Sequence, residues 1–213
     1  MRLLNTILVC AVTIAPAALA QRWEFGGGVG GGFYPSHDVS LGGTSAAANI
    51  QTNIAGSAWL DNNSRGRWGG ELRYDYQRGD LQLKQSGAQA SFASESHGFH
   101  YDLLWHLAPS ESAVRPFVAA GAGIKMFRGT GTEQLFQPLS KYALLTRAQD
   151  VTPLVSVGAG IKLNLGGHWQ VRLEVHDFLT PFPKKVITPN VGASVSGWLQ
   201  DIVPMVGISY VSN

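Results

Sequence analysis

The sequence predicts an all-β fold: an eight-stranded antiparallel up-and-down transmembrane β-barrel that follows a cleaved signal peptide. Three observations carry this. Apolar and polar residues alternate with period two along most of the chain after residue 20, as in strands with two unlike faces. Eight segments can be drawn, most about 10–14 residues long, beyond the ~5–6 usual in soluble strands and enough for the ~9–11 that cross a bilayer at a tilt. The links between them alternate short and long, as in barrels with turns at one membrane face and loops at the other.

Composition agrees. Of 213 residues, 45% are hydrophobic and 14% charged, against about 25% charged in average soluble domains. Glycine is abundant, with 26 residues, but shows no period of three, which excludes collagen. Plentiful aliphatic and aromatic side chains exclude disorder. A net charge of +2 excludes a strongly basic nucleic-acid binder.

Residues 1–20 read as a secretory signal peptide: Arg2, an apolar run, then Ala18-Leu19-Ala20 as the cleavage site. The apolar run is shorter than the ~20 residues of a membrane-spanning helix. Residues 21–213 then form one barrel domain. The lone cysteine, Cys10, lies in the leader after Val9 rather than a small residue, which argues against lipidation. The mature chain therefore has no disulfide.

The segments follow in order. Segment 22–34 sets Trp23, Phe25, Val29 and Phe33 against Glu24 and glycines. Segment 47–60 sets Ile50, Thr52, Ile54, Ala58 and Leu60 against Gln51, Asn53 and Ser57. Segment 67–78 sets Trp68, Leu72, Tyr74 and Tyr76 against Glu71, Arg73, Asp75 and Gln77. Segment 92–107 sets Phe99, Tyr101, Leu103, Trp105 and Leu107 against His100, Asp102 and His106. Segment 114–127 sets Val118, Ala120, Ala122, Ile124 and Met126 against small residues and Lys125. Segment 152–164 sets Val155, Val157, Ala159, Ile161 and Leu163 against glycines, Lys162 and Asn164. Segment 168–177 sets Trp169, Val171, Leu173 and Val175 against Gln170, Arg172, Glu174 and His176. Segment 198–211 sets Ile202, Val206, Ile208 and Tyr210 against Met205, Gly207 and Ser209. Short turns are expected at 61–66, 108–113 and 166–167, and longer links near 35–46, 79–91, 128–151 and 179–197.

Period two alone fits a soluble sandwich or a periplasmic β-barrel binding protein as well as a membrane barrel. The chemistry of the faces favours the bilayer. The apolar faces carry almost no charge, and Trp23, Trp68, Tyr76, Trp169 and Tyr210 fall near segment ends, where an interfacial aromatic girdle sits. The opposite faces carry both signs: Glu71, Arg73, Asp75, His100, Asp102, Lys125, Lys162, Arg172, Glu174 and His176. Eight strands enclose a bore that side chains can fill. These ten residues are thus expected to form a lumenal polar network that plugs the barrel, with glycines such as Gly26, Gly121 and Gly158 making room.

Three stretches resemble small OmpA-like outer-membrane barrels. Arg115-Pro-Phe-Val-Ala-Ala-Gly-Ala-Gly-Ile124 is similar to their "PYVGAGAG" strand, Val171-Arg-Leu-Glu-Val-His-Asp177 to their "R-x-E-x-x-D" penultimate strand, and Val203-Pro-Met-Val-Gly-Ile-Ser-Tyr210 to their closing strand. The resemblance implies an eight-stranded barrel in outer-membrane lipid, inserted by the barrel-assembly machinery. It departs at the end, where Val211, Ser212 and Asn213 follow the terminal aromatic Tyr210.

Candidate chemistry is sparse. His176 is flanked by Glu174 and Asp177, but the lipid A deacylase pattern resembles His-x-Ser-Asn and here reads His176-Asp-Phe-Leu. His100 and His106 lie about 20 Å apart along a strand, too far to share a metal ion. Gly26-Gly-Gly-Val-Gly-Gly-Gly32 lacks the Lys-Ser/Thr of a phosphate loop. No catalytic, metal or cofactor residue is therefore expected, and no nucleic-acid partner. The expected role is structural or surface-interacting, with an extracellular partner left open. A small pore and a lipid A-modifying enzyme are the alternatives. In the third long link, Leu135-Phe136, Tyr142 and Leu144-Leu145 fit either a contact surface or packing between loops.

Overall fold

The computed structural model describes residues 22–63, 66–195 and 197–212. The expected signal peptide and Cys10 lie outside the described residues, as do the side chains of Thr52 and Asn53. The strands are β1 (Arg22–Gly30), β2 (His37–Leu41), β3 (Thr44–Asn63), β4 (Trp68–Gln85), β5 (Ala88–His106), β6 (Val114–Gly129), β7 (Ala143–Leu145), β8 (Gln149–Gly166), β9 (Trp169–Pro181), β10 (Ile187–Pro189) and β11 (Trp198–Val211).

Eight of these strands form a closed antiparallel ring, β1-β11-β9-β8-β6-β5-β4-β3, and β1 pairs with β3 to seal it. Closure leaves no strand edge that lipid would have to solvate. Hydrogen-bonded partners can be followed once round, Gln77–Ala55–Gly30–Met205–Glu174–Gly160–Phe117–His106, to Arg67. The path returns to the same chain segment ten residues before its start (Gln77 to Arg67). This stagger tilts the strands by about 35–45° and fixes the bore.

Period-two patterning is realised as two walls. Phe25, Val29, Leu103, Val157, Leu173 and Val206 are exposed on the outer wall. Glu71, Arg73, Asp102, Lys162, Arg172 and His176 are buried inside. The apolar side chains are thus outside and the charges inside, the inverse of a soluble core.

The structure corrects the sequence reading in three places. A β-bulge between Thr52 and Ile54 reverses the side-chain alternation, so Ile50 is buried whereas Ile54 is exposed. The link expected at 79–91 is mostly strand: β4 and β5 continue past the barrel to a tight turn at Ser86 and Gly87, both at positive φ (45° and 85°). Finally, β1 ends at Gly30, and Phe33 then bridges Ile202.

The other three long links also build structure. β2 extends the sheet along β3, and β7 pairs with β10. With the β4–β5 extension they enclose an apolar cap over the long-link end of the barrel. It includes Val39, Leu81, Leu83, Phe92, Tyr142, Leu145, Val186 and Ile187, none more than 6% exposed. The third link divides accordingly. Tyr142 and Leu145 pack in this cap, while Leu135 and Phe136 are fully open to solvent.

Candidate functional site

Among the described residues, buried charge is concentrated in the bore, and the sheet stagger arranges it in three layers. Nearest the short turns, Lys162 on β8 donates to Glu24 and Asp61, each at 2.6 Å, and Asn63 also donates to Glu24 at 2.8 Å. In the middle, the two guanidiniums share carboxylates. Arg172 reaches Glu71 and Glu174, each at 2.5 Å, and Asp61 at 3.3 Å. Arg73 reaches Glu174 at 2.5 Å, Glu71 at 3.0 Å and Asp75 at 3.1 Å. Beside them His100 stands between Asp75 (2.8 Å) and Asp102 (2.9 Å). Towards the cap, Lys125 donates to Asp201 at 2.5 Å and to the Tyr34 hydroxyl at 2.9 Å, and Gln77 also donates to Asp201 at 2.7 Å.

Arginine suits the middle layer because its planar fork binds two carboxylates at once. Trp59 fills the adjoining volume, with its ring 4.8 Å from the Arg172 guanidinium carbon and 5.2 Å from that of Arg73. Phe117 covers Arg172 at 4.5 Å. Such cation–π contacts complement ion pairs in a dry site. Glycine makes room for these rings. A Cβ on Gly26 would overlap the Trp59 indole, and one on Gly158 would overlap the His176 imidazole.

All ten residues expected in the lumen project into this network. Glu24, Asp61, Asp201, Tyr34, Gln77, Trp59 and Phe117 join them and were not among the ten. Parity held a signal for most: Trp59 lies between outward Ala58 and Leu60, and Asp201 beside outward Ile202. Asp61 was hidden by its assignment to a turn. Of the expected girdle, Trp23, Trp68, Trp169 and Tyr210 stand near the short-turn end of their strands. Trp105 joins them, stacked on Trp68 at 6.3 Å. Tyr76 differs, because β4 runs on to Gln85: it lies mid-strand, 5.3 Å from the His97 ring.

The groups with catalytic or ligating side chains are held within this network. His176 is fully buried, 3.3 Å from Ser156, whose hydroxyl donates instead to Asp102 at 3.1 Å. Its sequence neighbour Asp177 is on the other face of the sheet, bonded to Gln200. Glu71, Asp102 and His176 bring ligand atoms within 4.8 Å of one another. However, Glu71 already holds both Arg73 and Arg172, so two guanidinium charges stand where a cation would have to enter.

Comparison with known proteins follows the same lines. The chain matches the family described as Outer membrane protein beta-barrel domain over residues 6–194. No curated protein matches it by sequence. Among solved structures, the outer membrane protein OprG from Pseudomonas aeruginosa superposes with a TM-score of 0.56 at 15% identity, covering 91% of this chain and 97% of that one. Neisserial surface protein A superposes with a TM-score of 0.53 at 6% identity, covering 88% and 96%. At such identities the likeness is one of fold. The closed eight-stranded ring, the apolar outer wall and the family match together make this chain a member of the outer membrane β-barrel domain family, a small β-barrel protein of the outer membrane.

Proposed function

We propose that this barrel is a closed, non-catalytic platform: a structural element of the envelope that displays its extracellular cap to a partner outside the cell. The observation that carries this is the filled bore. Arg73 and Arg172, each with no exposed surface, tie together strands β3, β4 and β9 across the lumen, and the apolar cap lies beyond them. Pairs of this kind resist parting, because an unpaired charge would be left in a dry interior. In outer-membrane barrels the long connections face outward, so the cap is the surface offered to other cells or molecules. His176 is fully buried and faces the lumen rather than the lipid.

Planar-bilayer recording of the purified barrel tests the closure. Patches carrying the protein are expected to show no defined conductance steps. Regular steps that scale with salt would overturn the reading in favour of a small pore. A parallel assay of lipid A should show no change of mass that depends on the protein. A change abolished by His176→Ala would install the enzyme reading instead.

A further inference from the structure

Ionisable side chains are few on the outer wall, and most of those, such as Glu95, His97 and Arg128, neighbour one another; Asp177 instead stands among apolar neighbours. Asp177 shares the outward face of β9 with Leu173 and Val175, and its partners across the sheet, Val157 and Ile202, are apolar. Gln200 donates to its Oδ2 at 2.6 Å, while Oδ1 is shielded from solvent and has no hydrogen-bond partner. An ionisable residue on a membrane-embedded face is costly and marks function more often than packing.

A second, independent feature meets it there. Asp177 lines an open apolar groove of about 670 Å³ on the outer wall. The groove exists because Ala120 and Ala159 stand where the flanking positions carry Leu103, Val118 and Val175. Its other end is bounded by the Trp68–Trp105 stack. The axis of the groove therefore runs from a free acceptor down to the periplasmic aromatic belt. Asp177 lies eight residues along β9 from Trp169. At ~3.3 Å per residue and a tilt near 40° this is about 20 Å above the belt, in the outer half of an apolar band roughly 25 Å tall.

We propose that this groove holds one acyl chain of an outer-leaflet lipid, with an amide N–H or hydroxyl near the root of the chain donating to Asp177 Oδ1. Position selects this occupant. The wall is in contact with lipid, the polar end of the groove lies in the outer leaflet, and the vacant group is an acceptor that calls for a donor. An ester-linked chain without a hydroxyl offers none.

The test compares the barrel reconstituted in phosphatidylcholine vesicles with and without lipid A, whose acyl chains are amide-linked and hydroxylated. After extraction into mild detergent, the lipid retained is measured by mass spectrometry. Three variants accompany the parent: Asp177→Leu, Asp177→Asn and Ala159→Phe. All three changes are on the outer wall, and folding is checked by gel mobility before and after boiling. The parent and Asp177→Asn, which keeps an acceptor, should each retain lipid A in preference to phosphatidylcholine. Asp177→Leu and Ala159→Phe should each lose about tenfold in retention, equivalent to 1.4 kcal/mol. Equal retention by all four proteins, or by both lipids, would overturn the proposal. So would efficient cross-linking of barrels through Ala159→Cys without lipid, which would make the groove a contact between two copies.

Discussion

Replacing Arg73 with methionine is the sharpest probe of the bore. The two side chains have similar reach, so the volume changes little while the charge is lost. In the parent, Arg73 and Arg172 share Glu71 and Glu174, and Arg73 alone reaches Asp75 with its guanidinium. Without Arg73, Arg172 must hold two carboxylates that are both almost fully shielded from water. Removing one partner of a buried pair costs about 3–5 kcal/mol, a large part of the ~5–15 kcal/mol that stabilises a typical domain. Glu174→Gln added to Arg73→Met should restore at least ~1 kcal/mol, because the surviving Arg172–Glu71 pair is then balanced and neighbouring changes couple. The assay is urea unfolding from lipid vesicles, followed by tryptophan fluorescence, with far-ultraviolet circular dichroism to confirm the sheet. If Arg73→Met were as stable as the parent within ~0.5 kcal/mol, or the double variant less stable than the single, the charge argument would fail.

Other expectations follow from the same structure. Gly26→Val should cost about 1–3 kcal/mol through overpacking against Trp59, and Trp59→Ala in the same chain should recover much of it in the same urea assay. Leu83→Ala should weaken the cap by about 2–5 kcal/mol, so that protease added outside cleaves the extracellular connections while the barrel core stays intact. The folded barrel should migrate differently on SDS gels before and after boiling, and a single mobility at both temperatures would contradict a closed ring.

The barrel was largely legible in the sequence because a membrane wall makes severe demands. Alternation from Trp169 to His176 is strict, and β9 begins at Trp169 with Arg172, Glu174 and His176 inside. What sequence alone concealed was non-local. The bulge at Thr52 and Ile54 inserts one residue with no sequence signature, and parity beyond it reads backwards. The 79–91 stretch holds polar residues and glycines that suggest a loop, yet Leu81, Leu83 and Ala90 are apolar at inward positions and belong to the cap. The lumenal residues could be sorted to a face by counting in twos. Their partners could not, because who meets whom depends on a ten-residue stagger set by closure of the ring. Asp177 shows the limit plainly: within its motif it looks like a companion to His176, whereas one step along a strand places it on the opposite wall.

The cap draws on all four extracellular connections at once, from Val39 and Leu83 to Tyr142 and Ile187. Each connection buries its apolar side chains against those of the others, so the packed outward relief needs all four in place. Under the proposed role, what is offered to a partner is a preformed contour rather than four independent tethers. A partner docking on such a contour forfeits little chain freedom at the moment of contact. Exchanging residues at open positions such as Leu135 and Phe136 should therefore retune recognition without disturbing the scaffold beneath.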